Sequence, residues 1–314
     1  MKRSRPLVLI ILLLLSAVVA LSACSPGGTG TDITVRVVVT QNFGRDLMLD
    51  ETIEVPTGAS ALEALQQVAD VETAYGGGFV NTINGVRSQY PAQEDWLFYI
   101  NGISTNKGAA GYILEDGDIQ HWDFHDWSFR MFIPAIIGDF PQPFLHGYGG
   151  QVRPTVIVYA DGLREEAEAL ERGLAELGVE NVSLKHTGEL TDDDKQHSNL
   201  ILLGTKDSDL VSEMNQAWDK LGFFVHFEDG VMVVHNSRGE VEAEYGAGCG
   251  LIQATQSLWN PKGVGACENV VWMASGMDAD GVKSAVDALI NRHDQFQYAY
   301  AIVIANGEII RVPQ

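Results

Sequence analysis

The N-terminal 24 residues divide this 314-residue chain into a leader and a body that has to fold outside the membrane. Lys2, Arg3 and Arg5 form a positively charged start, and an almost unbroken apolar run follows over residues 7–21. A helix of about 15 residues is roughly 22 Å long, which is short for a hydrocarbon core about 30 Å thick. The run therefore predicts a cleavable signal and not a permanent membrane span.

The end of the leader, Leu21-Ser22-Ala23-Cys24, resembles the lipobox of bacterial lipoproteins. In that motif the cysteine thiol takes a diacylglyceryl group and cleavage occurs before the cysteine, so the resemblance implies a signal peptide over residues 1–23 and lipidation at Cys24. Two or three acyl chains are enough for stable anchoring. We expect the mature protein to be lipid-anchored at the extracytoplasmic face of the cell membrane, with residues 24–31 as a flexible tether. An ordinary secretory signal with a chance cysteine is the alternative.

The mature body is strongly acidic. Removing Lys2, Arg3 and Arg5 leaves 17 basic against 42 acidic residues, a formal net charge of −25. Such a surface repels phosphate backbones, which argues against a nucleic-acid partner, and it leaves membrane contact to the N-terminal lipid. The length of the body suggests two domains.

Residues 32–130 have the pattern of a small α+β domain of the β-grasp type. Apolar residues occur at every second position from residue 33 to residue 39, which predicts a half-buried strand. Ser60 followed by Glu63 predicts the capping box of a helix. Asn-Gly pairs at 84–85 and 101–102 predict tight turns between strands.

The remainder of the chain predicts a linker and a second domain. Residues 131–154 are rich in Pro and Gly and also strongly apolar, so we expect them to lie along a domain surface or to form one wall of a ligand cleft. From residue 155 to residue 314, apolar strands alternate with amphipathic helices. This alternation predicts an α/β domain with a mixed, partly parallel sheet.

One ordered set of motifs lies in the first domain: residues 96–102 (WLFYING), residues 108–112 (GAAGY) and residues 115–118 (EDGD). The set resembles a bacterial family related to the C-terminal β-domain of transcobalamin and intrinsic factor, and the resemblance covers residues 31–126. It implies a surface that caps a ligand, with a cobalamin-type corrinoid as the candidate ligand and an importer permease as the candidate partner. The α/α-barrel domain of those carriers has no counterpart here.

The predicted ligand-binding residues are aromatic, polar or imidazole side chains of this domain. They are Tyr75, Trp96, Tyr99, Asn101, Tyr112, His121, His125 and Trp127. On a strand, the alternation in residues 121–127 places His121, Asp123 and His125 on one face. These groups could contact a metal ion or a corrinoid cobalt, or they could form a solvated polar face. No resident metal or cofactor is predicted.

Cys249 and Cys267 remain after Cys24 is lipidated, and an even pair in an exported protein predicts a disulfide. The alternative is a nucleophilic Cys249 in its Gly-rich loop beside His235. His226 and His235 are expected to lie diagonally on one face of a hairpin that turns at Asp229-Gly230.

The second domain contains residues 199–204 (NLILLG), 259–261 (WNP) and 270–276 (VVWMASG). These segments resemble the C-terminal α/β domain of S-layer-type surface proteins, which implies an exported, non-catalytic module. The motifs of serine hydrolases, zinc proteases, P-loop proteins and dinucleotide-binding proteins do not occur in a fitting context. We therefore expect a ligand-binding protein and not an enzyme. The alternative is a structural or adhesive cell-surface module without a small-molecule ligand.

Overall fold

The structure is a computed structural model that describes residues 31–314. The predicted signal peptide, the lipidation site Cys24 and most of the tether at residues 24–31 lie outside the described residues. Among the residues that are described, no helix has both the length and the apolar character that crossing a membrane requires. The predicted fold class is confirmed: an α+β part of β-grasp type is followed by a part with a mixed, partly parallel sheet.

The N-terminal part is built on a five-stranded sheet. Its strands are β1 (Asp32–Gln41), β2 (Asp46–Pro56), β6 (Glu94–Ile100), β7 (Ile103–Ser104) and β8 (Ile119–Asp126). Their order is β2-β1-β8-β6-β7, with β8 parallel to β1 and antiparallel to β6. A small second sheet consists of β3 (Val71–Ala74), β4 (Phe79–Ile83) and β5 (Val86–Arg87). Strand β8 is therefore the central strand of the first sheet.

Helix α1 (Ala61–Val68) packs against this sheet through Leu62 and Leu65. The predicted capping box is present: the Glu63 amide donates to Ser60 Oγ at 3.2 Å, and the Ser60 amide donates to Glu63 Oε2 at 2.8 Å. These two bonds satisfy amides that the first turn of a helix leaves without partners.

The C-terminal part is a seven-stranded mixed sheet with a separate three-stranded sheet. The strands of the large sheet are β9 (Thr155–Tyr159), β10 (Val182–His186), β11 (Asn199–Thr205), β15 (Gly250–Gln256), β16 (Val270–Gly276), β17 (Ala301–Ala305) and β18 (Glu308–Val312). Their order is β10-β9-β11-β16-β15-β17-β18, parallel through the first four strands and antiparallel beyond them. The smaller sheet contains β12 (Val225–Glu228), β13 (Val231–His235) and β14 (Val241–Tyr245).

Five further helices occur in the described residues: α2 (Gln142–Leu145), α3 (Arg164–Glu176), α4 (Asp192–His197), α5 (Asp209–Gln216) and α6 (Ala279–Asn291). The predicted turns at Asn84-Gly85, Asn101-Gly102 and Asp229-Gly230 are present, and all six residues have positive φ angles as a type I′ turn requires. Asn306-Gly307 forms a further turn of this kind between β17 and β18.

The Pro- and Gly-rich segment from residue 131 to residue 154 is packed into the protein. Ile133, Ile136, Ile137 and Phe144 are buried. Ile136 packs with the core between the two large sheets, whereas Ile137 packs with the core on the other side of the C-terminal sheet. By its contacts, Ile33–Gln314 forms one compact unit.

The predicted disulfide between Cys249 and Cys267 is wrong, because both cysteines are free and buried. Strands β15 and β16 pair from Gly250 opposite Gly276 to Gln256 opposite Val270. Cys249 precedes one end of this ladder and Cys267 lies at the other end, so about 20 Å of strand separates them at ~3.3 Å per residue. A disulfide requires Cα atoms within about 7 Å.

A comparison of alanine substitutions at two glycines with similar φ angles tests how tightly the turn after β1 packs against Tyr298. A Cβ at Gly44 (φ +77°) would lie 1.9 Å from the Tyr298 carbonyl oxygen, whereas a Cβ at Gly85 (φ +83°) would have nothing within 4 Å. We expect Gly44→Ala to lower the free energy of unfolding by about 1–3 kcal/mol more than Gly85→Ala does, because only the first adds a steric clash to the shared backbone strain. Urea denaturation of both variants measures the difference. Equal losses would show that Tyr298 moves aside.

Candidate functional site

Strand β8 divides its side chains between two faces, as the alternation predicted. His121, Asp123 and His125 lie on one face, and Trp122 and Phe124 pack in the core beneath α1 on the other. The possibility of a solvated polar face is wrong, because all three polar side chains are buried. Residues of the C-terminal part, which come much later in the chain, cover this face.

Asp123 is the centre of a buried polar layer. Its carboxylate is bonded by donors from three separated parts of the chain. These donors are Thr40 Oγ1 at 2.6 Å, the amides of Phe43 at 3.0 Å and Gly44 at 2.9 Å, His125 Nδ1 at 2.6 Å and the Tyr300 hydroxyl at 3.2 Å. A buried carboxylate with this many donors satisfies the requirement that buried charges be paired and hydrogen-bonded.

The hydrogen bonds fix the charge state of this layer. Burial opposes the charge on Asp123, but the bonds from His125 and Thr40 and the nearby imidazoles outweigh burial, so the pKa of Asp123 is lowered. Burial, together with the Asp123 charge, raises the pKa of Tyr300 well above its usual value. Asp123 is therefore an acceptor and Tyr300 a donor at neutral pH.

His125 is held in one orientation. Its Nδ1 faces the charged Asp123 and must carry a proton to make that bond, which leaves Nε2 as the free ring nitrogen. Phe43 stacks on the ring at a centroid distance of 4.0 Å and 22°, and Tyr300 contacts it edge-on at 5.4 Å. Nε2 is buried and has no hydrogen-bond partner among the described residues.

A cavity of about 530 Å³ lies beside this ring, and we call it the His125 cavity. Its lining comes from the turn after β1, the ends of β6 and β8, the β13–β14 turn and Gln314. The lining residues are Gln41, Asn42, Phe43, Arg45, Asp46, Glu94, Phe124, His125, Asp126, Ser237, Arg238 and Gln314.

His121 occupies a different part of the polar layer. Its Nε2 is 3.0 Å from Thr40 Oγ1 and its Nδ1 is 3.1 Å from Asp139 Oδ1. Both ring nitrogens thus have protein partners. The arrangement fits a structural role and leaves neither nitrogen for a ligand.

A second concave site, the aromatic groove, has a volume of about 440 Å³. It is lined by residues 78–80, 96–98, 104–109, 122 and 131–132. Phe98 stacks on Trp122 with a centroid distance of 4.3 Å and an angle of 11°. Met131 and Phe132 line the groove from the linker while 77% and 43% exposed, respectively. The groove thus offers apolar surface to a ligand.

The remaining predicted residues are dispersed. Trp96 lines the aromatic groove and donates its Nε1 proton to the Val86 carbonyl at 3.1 Å. Tyr99 lies in the buried polar layer at the edge of Tyr300. Tyr75 is 93% exposed, and Trp127 follows the end of β8.

Asn101 and Tyr112 belong to a buried cluster around Asp118. Asn101 Nδ2 donates to Asp118 Oδ1 at 2.7 Å and to the Gly147 carbonyl at 2.9 Å, and the Tyr112 hydroxyl donates to Asp118 Oδ2 at 3.3 Å. Burial raises the pKa of Asp118. These bonds fix the turn before β8 to the linker, so Asn101 and Tyr112 have structural partners.

His226 and His235 lie diagonally on one hairpin face, as predicted, with ring centroids 5.2 Å apart. Trp218 stacks on both rings. Across residues 31–314, no group of three or more His, Cys, Asp or Glu side chains is arranged to hold a metal ion.

Four important residues of the polar layer were not predicted: Thr40, Phe43, Asp139 and Tyr300. Thr40 continues the alternation of β1 and could have been found as the last inward residue of that strand. Phe43, Asp139 and Tyr300 lie outside regular strands, and nothing in their local sequence indicates that they meet Asp123 or His121.

Comparisons with known proteins give matches to part of the chain. A family model described as a domain of unknown function, DUF4430, matches residues 58–126, and no curated protein matches. Among solved structures, haptocorrin in complex with Cbi aligns over 31% of this chain and 26% of its own, at 15% identity and a TM-score of 0.27. A Ruminococcus gnavus ATCC 29149 protein described as a candidate metal binding protein aligns over 31% of this chain and 97% of its own, at 24% identity and a TM-score of 0.24. The family match lies within residues 31–126, the segment whose motifs predicted a resemblance.

The Asp123 layer gives a pH-dependent prediction. Because the pKa of Asp123 is lowered in the folded protein, its contribution to stability is complete above the ordinary value of 3.8 and is lost as the pH falls through the folded-state pKa. We expect Asp123→Asn to cost about 3–5 kcal/mol at pH 7, since it removes one partner of a buried pair, and to flatten the acid limb of the stability curve.

Urea unfolding of the wild type and the variant between pH 7 and pH 2 measures both effects, with Asp126→Asn as the neighbouring control. An Asp123→Asn variant as stable as the control at pH 7 would contradict the assignment of this carboxylate as a buried charge.

Proposed function

We propose that this protein is a non-enzymatic binding protein that holds a flat, amphipathic small molecule in the aromatic groove. A cobalamin-type corrinoid is the candidate ligand and an importer permease the candidate partner. The protein would be anchored at the extracytoplasmic face of the cell membrane by lipid on Cys24. The proposal is supported by the motifs of residues 96–118 and by the surface chemistry of the groove.

The observation that carries the proposal is the exposed apolar wall of the groove. Large exposed apolar side chains that are grouped together mark interaction sites, whereas single ones need no explanation. Met131 and Phe132 are adjacent and exposed, and they line the same concave surface as the stacked pair Phe98 and Trp122. Aromatic faces of this kind pack well against a planar ligand.

Polar groups at the rim of the groove suit a ligand with a polar periphery. The consecutive residues Ser104, Thr105, Asn106 and Lys107, which precede Gly108, all line the groove. Hydroxyl, amide and ammonium groups can bond the amide or phosphate substituents of an amphipathic ring, while the apolar wall covers its face. A few placed polar groups in a largely apolar site are typical of small-molecule recognition.

Titration of the purified full-length protein in detergent with cobinamide and cobalamin tests the ligand. We expect heat release and a shift of the corrinoid absorption spectrum at about tens of micromolar or below. Phe132→Ser should weaken binding about tenfold, because burial of a Phe ring contributes about 1.5–3 kcal/mol and 1.4 kcal/mol is a factor of ten. Val241→Ser, at a 56% exposed side chain outside the groove, is the matched control. Absence of heat and spectral change with both ligands would remove corrinoids.

The lipid anchor has a separate test. We expect mass spectrometry of the mature protein to find an N-terminal Cys24 that carries diacylglyceryl, and we expect Cys24→Ser to move the protein from the membrane to the soluble fraction. Cys249→Ser changes a buried thiol of the folded body and should leave the protein on the membrane. An unmodified Cys24 on membrane-bound protein would rule out lipid anchoring.

A structural or adhesive cell-surface module is the second candidate. It is favoured by Tyr75 and Tyr90, two strongly exposed aromatic residues near the small sheet, with the Tyr90 ring 6.1 Å from that of Phe79. Exposed tyrosines are frequent in protein–protein contacts. Retention of the protein by isolated cell envelopes without any small-molecule binding, lost in Tyr75→Ser, would favour this candidate.

A further inference from the structure

Two buried histidines lie on one face of the three-stranded sheet and line neither of the two concave sites. His226 is 7% and His235 is 9% exposed, and their ring centroids are 5.2 Å apart with 15° between the ring planes. The Trp218 indole stacks on the two rings at centroid distances of 4.1 Å and 5.2 Å. The two imidazoles and the indole form one packed group, which we call the histidine cluster.

Hydrogen bonds assign one proton to each of the two rings. His235 Nδ1 lies 2.9 Å from the Gly239 carbonyl oxygen, which can only accept, so this nitrogen is the donor. His226 Nε2 lies 3.3 Å from Glu228 Oε2 and donates to it. The remaining nitrogens, His226 Nδ1 and His235 Nε2, are buried without a hydrogen-bond partner among the described residues. A second proton on His226 would therefore add a buried N–H that has no acceptor in this packing.

A cation already lies against the histidine cluster. The Arg130 guanidinium is 4.6 Å from the ring centroid of Trp218 and 4.0 Å from that of Phe129, and the Phe129 ring is 5.5 Å from the His235 ring. Arg130 is 5% exposed, and its Nη2 is buried without a partner among residues 31–314. A positive charge on His226 would be repelled by this guanidinium, and little solvent is present to screen the repulsion.

The charged groups that face the cluster come from separate elements. They are Arg130 before the linker, Asp219 after α5, Glu228 on β12 and Glu244 on β14. The three carboxylates are exposed, so solvent screens the attraction that they offer to a charged imidazole. Burial opposes the charge most strongly and, together with His235 and Arg130, lowers the pKa of His226. The neutral ring is therefore the form that this packing stabilises.

The segment of residues 129–132 connects the histidine cluster to the aromatic groove. Arg130 is held by the loop that follows α5, because its Nε donates to the Phe223 carbonyl at 3.0 Å. The next two residues, Met131 and Phe132, line the groove. Movement of Arg130 away from the cluster would therefore also displace the exposed apolar wall of the groove.

We propose that the histidine cluster is an acid-sensitive switch for the aromatic groove. A second proton on His226 places two positive charges against one indole, so that Arg130 leaves the cluster. Segment 129–132 moves with it, and the groove loses its exposed apolar wall. The groove holds its ligand at neutral pH and releases it in acid. The switch stands on the cluster alone, whereas ligand release rests on the function proposed above.

The pH range of the switch follows from the sign of the pKa shift. Because the pKa of His226 is lowered in the folded protein, its neutral ring contributes fully to stability above the ordinary value of 6.5. That contribution is lost as the pH falls below 6.5 towards the folded-state pKa. An open state in which water reaches His226 takes up the proton more readily and is favoured in this range. The Asp123 layer titrates separately, because its contribution is complete above 3.8.

Hydrogen–deuterium exchange of the ligand-free, full-length protein in detergent tests the switch at about pH 7.5 and about pH 5. After correction for the intrinsic pH dependence of exchange, we expect peptides over residues 128–133 and 218–224 to lose protection roughly tenfold in acid, the change that one pKa unit represents. Unchanged protection of these peptides in the wild type would overturn the switch.

Variants identify the group that takes up the proton. His226→Phe keeps a ring that stacks on Trp218 and takes up no proton, so the acid response should disappear. His197→Gln, the matched control, changes an exposed histidine at the end of α4 and should keep the wild-type response. His121 and His125 remain in His226→Phe, so an acid response that persists in this variant would assign it to other groups and overturn the proposal.

Arg130→Met tests the role of the repelled cation. Burial still opposes a charge on His226 in this variant, but the guanidinium is gone, so the acid response should be smaller than in the wild type. A response as large as that of the wild type would overturn the role of Arg130. This variant keeps His226 itself, so it remains informative if His226→Phe does not fold.

Titration with cobinamide and cobalamin at the same two pH values tests ligand release separately. A corrinoid that binds the wild type at about pH 7.5 should bind roughly tenfold more weakly at about pH 5, and His226→Phe should bind it equally at both. Equal affinity of the wild type at both pH values, with the exchange response present, would overturn the connection to the groove. Absence of corrinoid binding at either pH would contradict the proposed ligand, and the exchange experiment alone would then decide the switch.

Discussion

The buried charge on Asp123 is the interaction on which the rest of the structure depends. A carboxylate can stay charged in a protein interior only while all of its hydrogen-bond donors are in place. Its donors come from β1 and the following turn, from β8 itself and from Tyr300 immediately before β17. Removing one partner from a buried charge costs much more than the intact arrangement contributes. The N-terminal sheet therefore cannot keep Asp123 charged and buried without the C-terminal sheet packed over it. This interdependence joins the two sheets within the compact unit Ile33–Gln314.

The same carboxylate accounts for an unusual turn. Asn42, Phe43 and Gly44 have φ angles of 55°, 61° and 77°, a left-handed run that is unfavourable for a bulky residue such as Phe. The turn nevertheless directs two successive amides at Asp123 and inserts the Phe43 ring onto His125. Backbone strain of this kind persists where the surrounding contacts determine it. The contacts of the polar layer thus offset a local conformation that the sequence alone would not favour.

Local sequence patterns predicted the strands and turns of the fold, whereas long-range packing determined which residues cover each strand face. The alternation of residues 121–127 correctly placed His121, Asp123 and His125 on one face, and Asn-Gly and Asp-Gly pairs correctly placed hairpin turns. Alternation along a strand does not indicate which residues cover either face. Tyr300 contacts His125 although the two residues are 175 positions apart in the sequence. The disulfide prediction failed for a related reason. Cysteine spacing carries no information on strand register, and the register separates Cys249 and Cys267 to opposite ends of one ladder.

Strand β8 contributes to both concave sites, through Trp122 at the aromatic groove and through His125 at the cavity. Because both of its faces are buried against packed side chains, neither residue has freedom that a ligand would have to remove. The two sites on one strand differ in their linings, since large apolar side chains contribute much of the groove surface, whereas charged and amide side chains predominate around the cavity.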